Sequence, residues 1–251
     1  MMKAVNLLVA GCLLLLAGVT PALADWTKYL DTIQGAADTA GVSTTDVDLT
    51  NTEMVAGLKE ALDTGTQFAV DKLGKPGGFL DNKKVRIPMP DSLSWVESSL
   101  RTVGQDELAD EFIGTMNQAA EQAVPEAAEV FGEAIQNMSV EDAQGILTGP
   151  DDAATRYFRA NTESILTERM RPIVESATAS TGVTSAYKNM MDSAGGLTSM
   201  LPGSTTDIDG YVTTRTLDGL FLMIAKEERK IRKNPVARSS ELMQKVFSAY
   251  D

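Results

Sequence analysis

The chain contains no histidine and a single cysteine, Cys12, among its 251 residues. Without imidazole, Ser-His-Asp and Cys-His activation of a nucleophile are excluded. A zinc site loses its usual ligands, and the Glu-x-x-His motif of di-iron bundles is absent. No metal and no cofactor are expected. No glycine-rich loop has the spacing that cradles phosphate. Carboxylate, lysine, tyrosine, hydroxyl and arginine chemistry remain. Positive charge is also scarce: 22 Lys and Arg stand against 35 Asp and Glu, a net charge of −13. That balance disfavours general binding to nucleic acid or anionic lipid, which carry like charge. An envelope component or an anionic small ligand stays open as a partner, and membrane contact is not favoured.

The longest apolar run lies at the start of the chain. Lys3, the stretch Val5 to Val19, and Ala22-Leu23-Ala24 form the three parts of a secretory signal peptide, with cleavage expected after Ala24. The run is short for a membrane span. Val9-Ala10-Gly11-Cys12 resembles a lipobox, but Leu13 to Leu16 follow where a polar tether is needed, so lipoprotein anchoring is the weaker reading. Cleavage would remove the only cysteine and leave stability to apolar packing rather than disulfides. The expected destination is the periplasm or the exterior.

The organisation that follows is a signal peptide over 1–24, a short helix and polar linker over 25–50, and a helical domain over 51–251. Trp26, Tyr29, Leu30 and Ile33 share one side of the short helix. Asp46-x-Asp48 resembles the start of a calcium loop, but Asn51 and Gly57 occupy positions that need glycine and glutamate. Thr52 to Leu73 reads as a helix, with Val55, Leu58, Leu62, Ala69 and Leu73 at helical spacing. The segment GKPGGFLDNKKVRIPMP (74–90) breaks the pattern, and Phe79-Leu80 with Val85 and Ile87 suggests a small hairpin. Asp91 to Val103 and Asp106 to Asn137 read as helices, the second kinked or split at Pro125. Asn117 and Glu121 fall on the side away from its apolar stripe.

Ser139-x-x-Asp142 is a capping box opening a short helix, and Gly149-Pro150 ends it. Asp151 is the expected cap of the next helix, whose apolar face is Ala154, Tyr157, Phe158 and Ile165. Asp152, Arg156, Arg159 and Glu163 lie opposite. Arg171-Pro172 is expected to start a new helix containing Ile173, Val174 and Ala177. Thr206-x-x-Asp209 opens the last long helix, Asn234-Pro235 ends it, and Ser239 or Ser240 caps a final one. The fold class is therefore all-α: a single-domain bundle of about seven or eight helices, with room for one small β-hairpin.

Several segments together resemble one known family. They are GLKEAL (57–62), VRIPMP (85–90), MNQAAEQAV (116–124), MSVEDAQGILTG (138–149), AATRYFR (153–159), YVTTRTLDGLF (211–221) and IRKNPVAR (231–238). The family is the bacterial exported proteins grouped as domain of unknown function 4197, and the resemblance spans Val47 to Phe247. Gln118 stands where the family often has arginine. The resemblance implies one helical domain exported by bacteria and brings no activity, substrate or cofactor.

Two polar constellations are candidates for function. Asn117, Glu121, Asp142, Asp152, Arg156, Tyr157 and Arg159 would form a pocket if Arg156 and Arg159 held an anion while Glu121 or Asp142 handled a proton. The four-apart charge pattern favours a solvated, salt-bridged face instead. Lys226, Arg229, Lys230, Arg232, Lys233 and Arg238 form a basic run. Arg229, Lys230, Arg232 and Lys233 are its candidates for an anionic surface, although cations at a helix C-terminus also answer the helix dipole. Glu227 and Glu228 dilute that charge. Met190, Met191, Met200, Met223 and Met243 read as scattered core filling. The leading expectation is a non-catalytic binding or structural module of the cell envelope. The alternatives are a carboxylate-based hydrolase or lyase using Glu121 or Asp142, and a peripheral membrane protein using the basic run.

Overall fold

Several helices begin where a side-chain oxygen meets free helix amides. The computed structural model describes residues 49–180, 182–193 and 207–250. The expected signal peptide, the expected short helix and most of the expected linker lie outside these residues, as do Met200 and Thr206. Residues 49–250 belong to a unit separate from residues 1–48. Helix α1 (Asn51–Leu73) starts at Thr50, whose hydroxyl accepts from the Glu53 amide while the Glu53 carboxylate accepts from Thr50. A 3₁₀ turn (Asp91–Leu93) leads into α2 (Ser94–Thr102). Helices α3 (Asp106–Ala123) and α4 (Ala127–Gln136) are separated by the 3₁₀ turn Val124–Glu126, which contains Pro125. The expected split therefore occurs at the proline, which lacks an amide to continue the ladder.

The capping box Ser139/Asp142 forms as read and opens α5 (Val140–Leu147). Helix α6 (Ala153–Ser180) then runs without interruption through Pro172, so the expected new start at Arg171-Pro172 is corrected. An interior proline costs about 3 kcal/mol. Here Leu166, Met170, Val174 and Ala177 stay buried in one register on both sides of it, and that packing holds the helix together. Gly182, at φ +80, makes the turn into α7 (Val183–Ser193). Helix α8 (Ile208–Lys233) is capped by Asp207, whose carboxylate accepts from Gly210. Ser240 caps α9 (Glu241–Ser248).

The core forms where α6 lies along α8, with α3 against α6 and α7, and α1 against α4, α8 and α9. Its centre is aromatic. Phe131 of α4 meets Phe158 of α6 at 5.4 Å and Phe221 of α8 at 6.1 Å between ring centres. Such tilted pairs add about 0.5–1.5 kcal/mol beyond their buried area. Met190, Met223 and Met243 are buried here. Among the described residues the fold is all-α, and no strand is present. The small hairpin suggested for Phe79 to Ile87 is thus corrected: the segment is a series of turns. The amides of Gly77, Phe79, Leu80 and Ile87 are taken by side chains of α3, those of Asp81, Asn82, Val85 and Arg86 by carbonyls within the segment, and Pro88 and Pro90 stop any ladder.

Candidate functional site

The residues singled out from the sequence fall into three local arrangements. The first joins α3 to the loop 74–90. Asn117, fully buried, accepts from the Ile87 amide at 2.8 Å and donates to the carbonyls of Ile87 (2.9 Å) and Ile113 (2.7 Å). One turn later, Glu121 accepts from the amides of Gly77 (3.1 Å), Phe79 (2.9 Å) and Leu80 (3.1 Å). The spacing puts Asn117 and Glu121 on the side away from the apolar stripe of this helix; the loop closes over α3 there and buries both side chains. Both side chains act as templates for an irregular backbone that has no ladder of its own. The turn is tight. Gly77 has φ +78, and a Cβ on Gly78 would lie 2.4 Å from the Leu73 carbonyl oxygen. Phe79 is delivered onto α8 at Gly219, and the Tyr211 hydroxyl donates to the Pro88 carbonyl at 3.1 Å.

The second arrangement is the start of α5 and the exposed side of α6. Asp142 accepts from the Ser139 hydroxyl (2.7 Å) and amide (3.1 Å). Those hydrogen bonds, with a smaller one from Tyr157, hold its carboxyl below the ordinary aspartate range. The half-buried Tyr157 phenol is pushed up, first by burial and then by the facing Asp142 charge. A general acid at neutral pH needs the opposite displacement of the carboxyl. Arg156 pairs with Asp152 at 3.0 Å. Arg159 pairs with Glu163 (2.9 Å) and Asp218 (3.1 Å), and its guanidinium lies 4.6 Å from the Phe221 ring centre. Among the described residues, neither arginine bonds to Glu121 or Asp142. The structure brings together Asn117 with Glu121, and Asp142 with Tyr157. It does not join these pairs to the arginines.

The third arrangement lies at the C-terminal half of α8. Glu228 is buried and accepts from the amides of Ala154 and Thr155 and from the Thr155 hydroxyl, at 2.9, 2.9 and 2.8 Å. It thereby caps α6. Asp151, expected in that role, pairs instead with Lys233. Arg232 pairs with Glu228 at 3.0 Å and donates to the carbonyls of Ile146 (2.7 Å) and Leu147 (3.4 Å) at the end of α5. Arg238, also buried, donates to the carbonyls of Ile231 and Arg232 and closes the end of α8. These roles were missed because Glu228 reads as mere dilution of the basic run. The available signal was an acid and a base four apart on a face with Ile224 and Ile231. Lys230 pairs with Glu227, while Arg229 and Lys226 are exposed.

Among the described residues every buried side-chain nitrogen and oxygen has a hydrogen-bond partner. The interior cavity bounded by Leu58, Leu62, Ile224, Glu228 and Phe247 has a volume of about 20 Å³. That is room for a water molecule rather than a substrate. No group of three or more acidic side chains among the described residues is placed to hold a metal ion. No described helix is long and apolar enough to cross a membrane.

These features define an all-α domain whose buried charges serve its own backbone. The family model described as "Protein of unknown function (DUF4197)" matches residues 48–248, and the chain belongs to the DUF4197 family. No curated protein and no solved structure matches it.

Proposed function

We propose that the protein is an exported, non-catalytic helical module of the bacterial cell envelope, acting as a binding or structural domain. The observation that carries this reading is the commitment of Glu121: all three of its hydrogen bonds go to backbone amides of the loop it holds. A carboxylate buried under that loop and engaged by three of its amides supports a structural role over one at a substrate. Asp142 is likewise committed to Ser139 and held in its charged form. The sequence-level features supporting export are the Lys3 n-region, the apolar run and Ala22-Leu23-Ala24.

The test is a thermal-shift screen of the purified protein against envelope lipids, cell-wall glycans and anionic metabolites, paired with recovery of partners from envelope extracts. A specific ligand at a hundred times its Kd stabilises by about 2.7 kcal/mol, a melting shift of several degrees for a domain of this size. A shift, or a stoichiometric partner, supports the module. Turnover of any screened compound that disappears in Glu121→Gln protein, while that variant stays folded at the assay temperature, overturns the non-catalytic reading.

A further inference from the structure

The sequence presents the basic run as one block, but the structure sorts it into two sets. Glu227, Glu228 and Arg232 turn inward. Leu222, Lys226, Arg229, Lys230 and Lys233 are exposed. At 100° per residue these five lie within an arc of about 100° on α8. Over its last three turns, this arc presents four cations and no carboxylate. Lys230 and Lys233 have carboxylate partners in Glu227 and Asp151. Among the described residues, Lys226 and Arg229 make no direct ion pair, and Arg229 acts on the Asp151 carboxylate only through space.

Two large apolar side chains border the same strip. Leu222 is 42% exposed, one turn before Lys226, and Phe68 of α1 is 40% exposed. The Phe68 ring has the Lys230 ammonium 5.4 Å from its centre and the Lys72 ammonium at 5.9 Å. The strip thus combines an aromatic ring bracketed by two cations with an exposed leucine further along α8. It suits a boundary where hydrocarbon and negative headgroups meet.

We infer that the exposed strip of α8, together with Phe68, is a docking surface for anionic phospholipid. Charge complementarity selects a negative partner. A base could stack on Phe68, but the aliphatic Leu222 selects lipid over a nucleic acid or an acidic glycan, neither of which offers hydrocarbon to receive it. Lys226 and Arg229 engage headgroups, and Leu222 and Phe68 enter the acyl boundary. The chain's net charge of −13 opposes close approach elsewhere, so this strip sets the orientation, and contact weakens with salt. The choice of lipid rests on the envelope reading above; the geometry of the strip does not.

The experiment is co-sedimentation of the purified protein with vesicles of phosphatidylglycerol and phosphatidylcholine in equal parts, against pure phosphatidylcholine. Binding is expected only to the anionic vesicles and is expected to fall as salt rises. Each cation near such a surface is worth about a factor of five in partitioning. Lys226→Gln with Arg229→Gln therefore lowers binding about 25-fold, with an unchanged melting temperature because neither side chain holds the fold. Lys188→Gln, a neutralisation elsewhere on the exposed surface, leaves binding within a factor of two. Phe68→Ser with Leu222→Ser lowers vesicle binding but leaves retention on a heparin column unchanged. No binding to anionic vesicles, or equal binding by the Lys226/Arg229 double variant, overturns the inference. So does an apolar double variant that still binds vesicles in full. Those results leave the scaffold reading standing, whereas enzymatic turnover removes the scaffold reading and leaves the docking surface untouched.

Discussion

Glu228 and Arg232, one turn apart on α8, hold opposite sides of the Gly149-Pro150 junction. The carboxylate gathers the first amides of α6, and the guanidinium gathers the last carbonyls of α5. The two side chains then bond to each other at 3.0 Å. One ion pair thus fixes the angle between two helices to which neither residue belongs.

The losses from removing the two halves of this pair should not add. Arg232→Met leaves the Glu228 charge buried without its cation and should cost about 3–5 kcal/mol. Glu228→Gln with Arg232→Met should cost less than the sum of the single changes, because the stranded charge is gone. Urea unfolding of the four proteins in a double-mutant cycle measures the coupling; additive losses would show that the pair acts as two independent caps.

Glu121→Gln keeps the volume but replaces one acceptor oxygen with an amide donor facing backbone N–H groups. A loss of about 1–3 kcal/mol is expected, concentrated in one place. Hydrogen exchange should accelerate at Gly77, Phe79 and Leu80 before it changes in α6. Uniform acceleration across the domain would contradict the role of Glu121 as a local template.

Glycine positions should separate by what surrounds them. A Cβ at Gly219 would lie 2.7 Å from Phe79 Cε1, on a ring with no room to withdraw. Gly219→Ala should therefore lower stability by about 1–3 kcal/mol, despite better helix propensity. Gly132, inside α4, has nothing within 4 Å of its Cβ position, and Gly132→Ala should raise stability by about 0.5–1 kcal/mol. Melting temperatures of the two variants are expected to move in opposite directions.

Stability should also fall in acid. Glu53, through Lys245, and Asp142, through Ser139, are both held below the ordinary carboxylate range in the folded chain. Their folded values are depressed, so their contribution is present above the unfolded value and is lost as pH falls below about 4. Lys245→Gln should flatten that acid limb, because the largest cause of the Glu53 shift is its bond to Lys245. Unfolding free energy measured from pH 6 to pH 3 should show the difference; parallel curves for the two proteins would refute it.

Local signals carried most of the fold. The Ser139 box, Pro125 and the Asn234-Pro235 stop all act within a few residues, and each appears where its chemistry places it. Where a distant partner decided, the sequence misled. Pro172 reads as a break because its neighbours are visible and the register of Leu166 to Ala177 against other helices is not. Asn117 and Glu121 read as a polar face because the loop that covers them arrives from 30 to 44 residues earlier. The candidate site failed to gather for the same reason: spacing shows which side chains share a helix face, but not which backbone groups a fold leaves unsatisfied.

Helix α9 closes the domain on its first helix. Val246 presses against Gly57, Ser240 donates to Glu60 at 2.9 Å, and Lys245 meets Glu53 at 2.6 Å, 192 positions away in sequence. A chain emerging N-terminus first therefore makes α1 early and cannot seal it until α9 has been synthesised. Helices α4 and α8 can cover the other sides of α1 earlier, so one face of the first helix waits for the last described one.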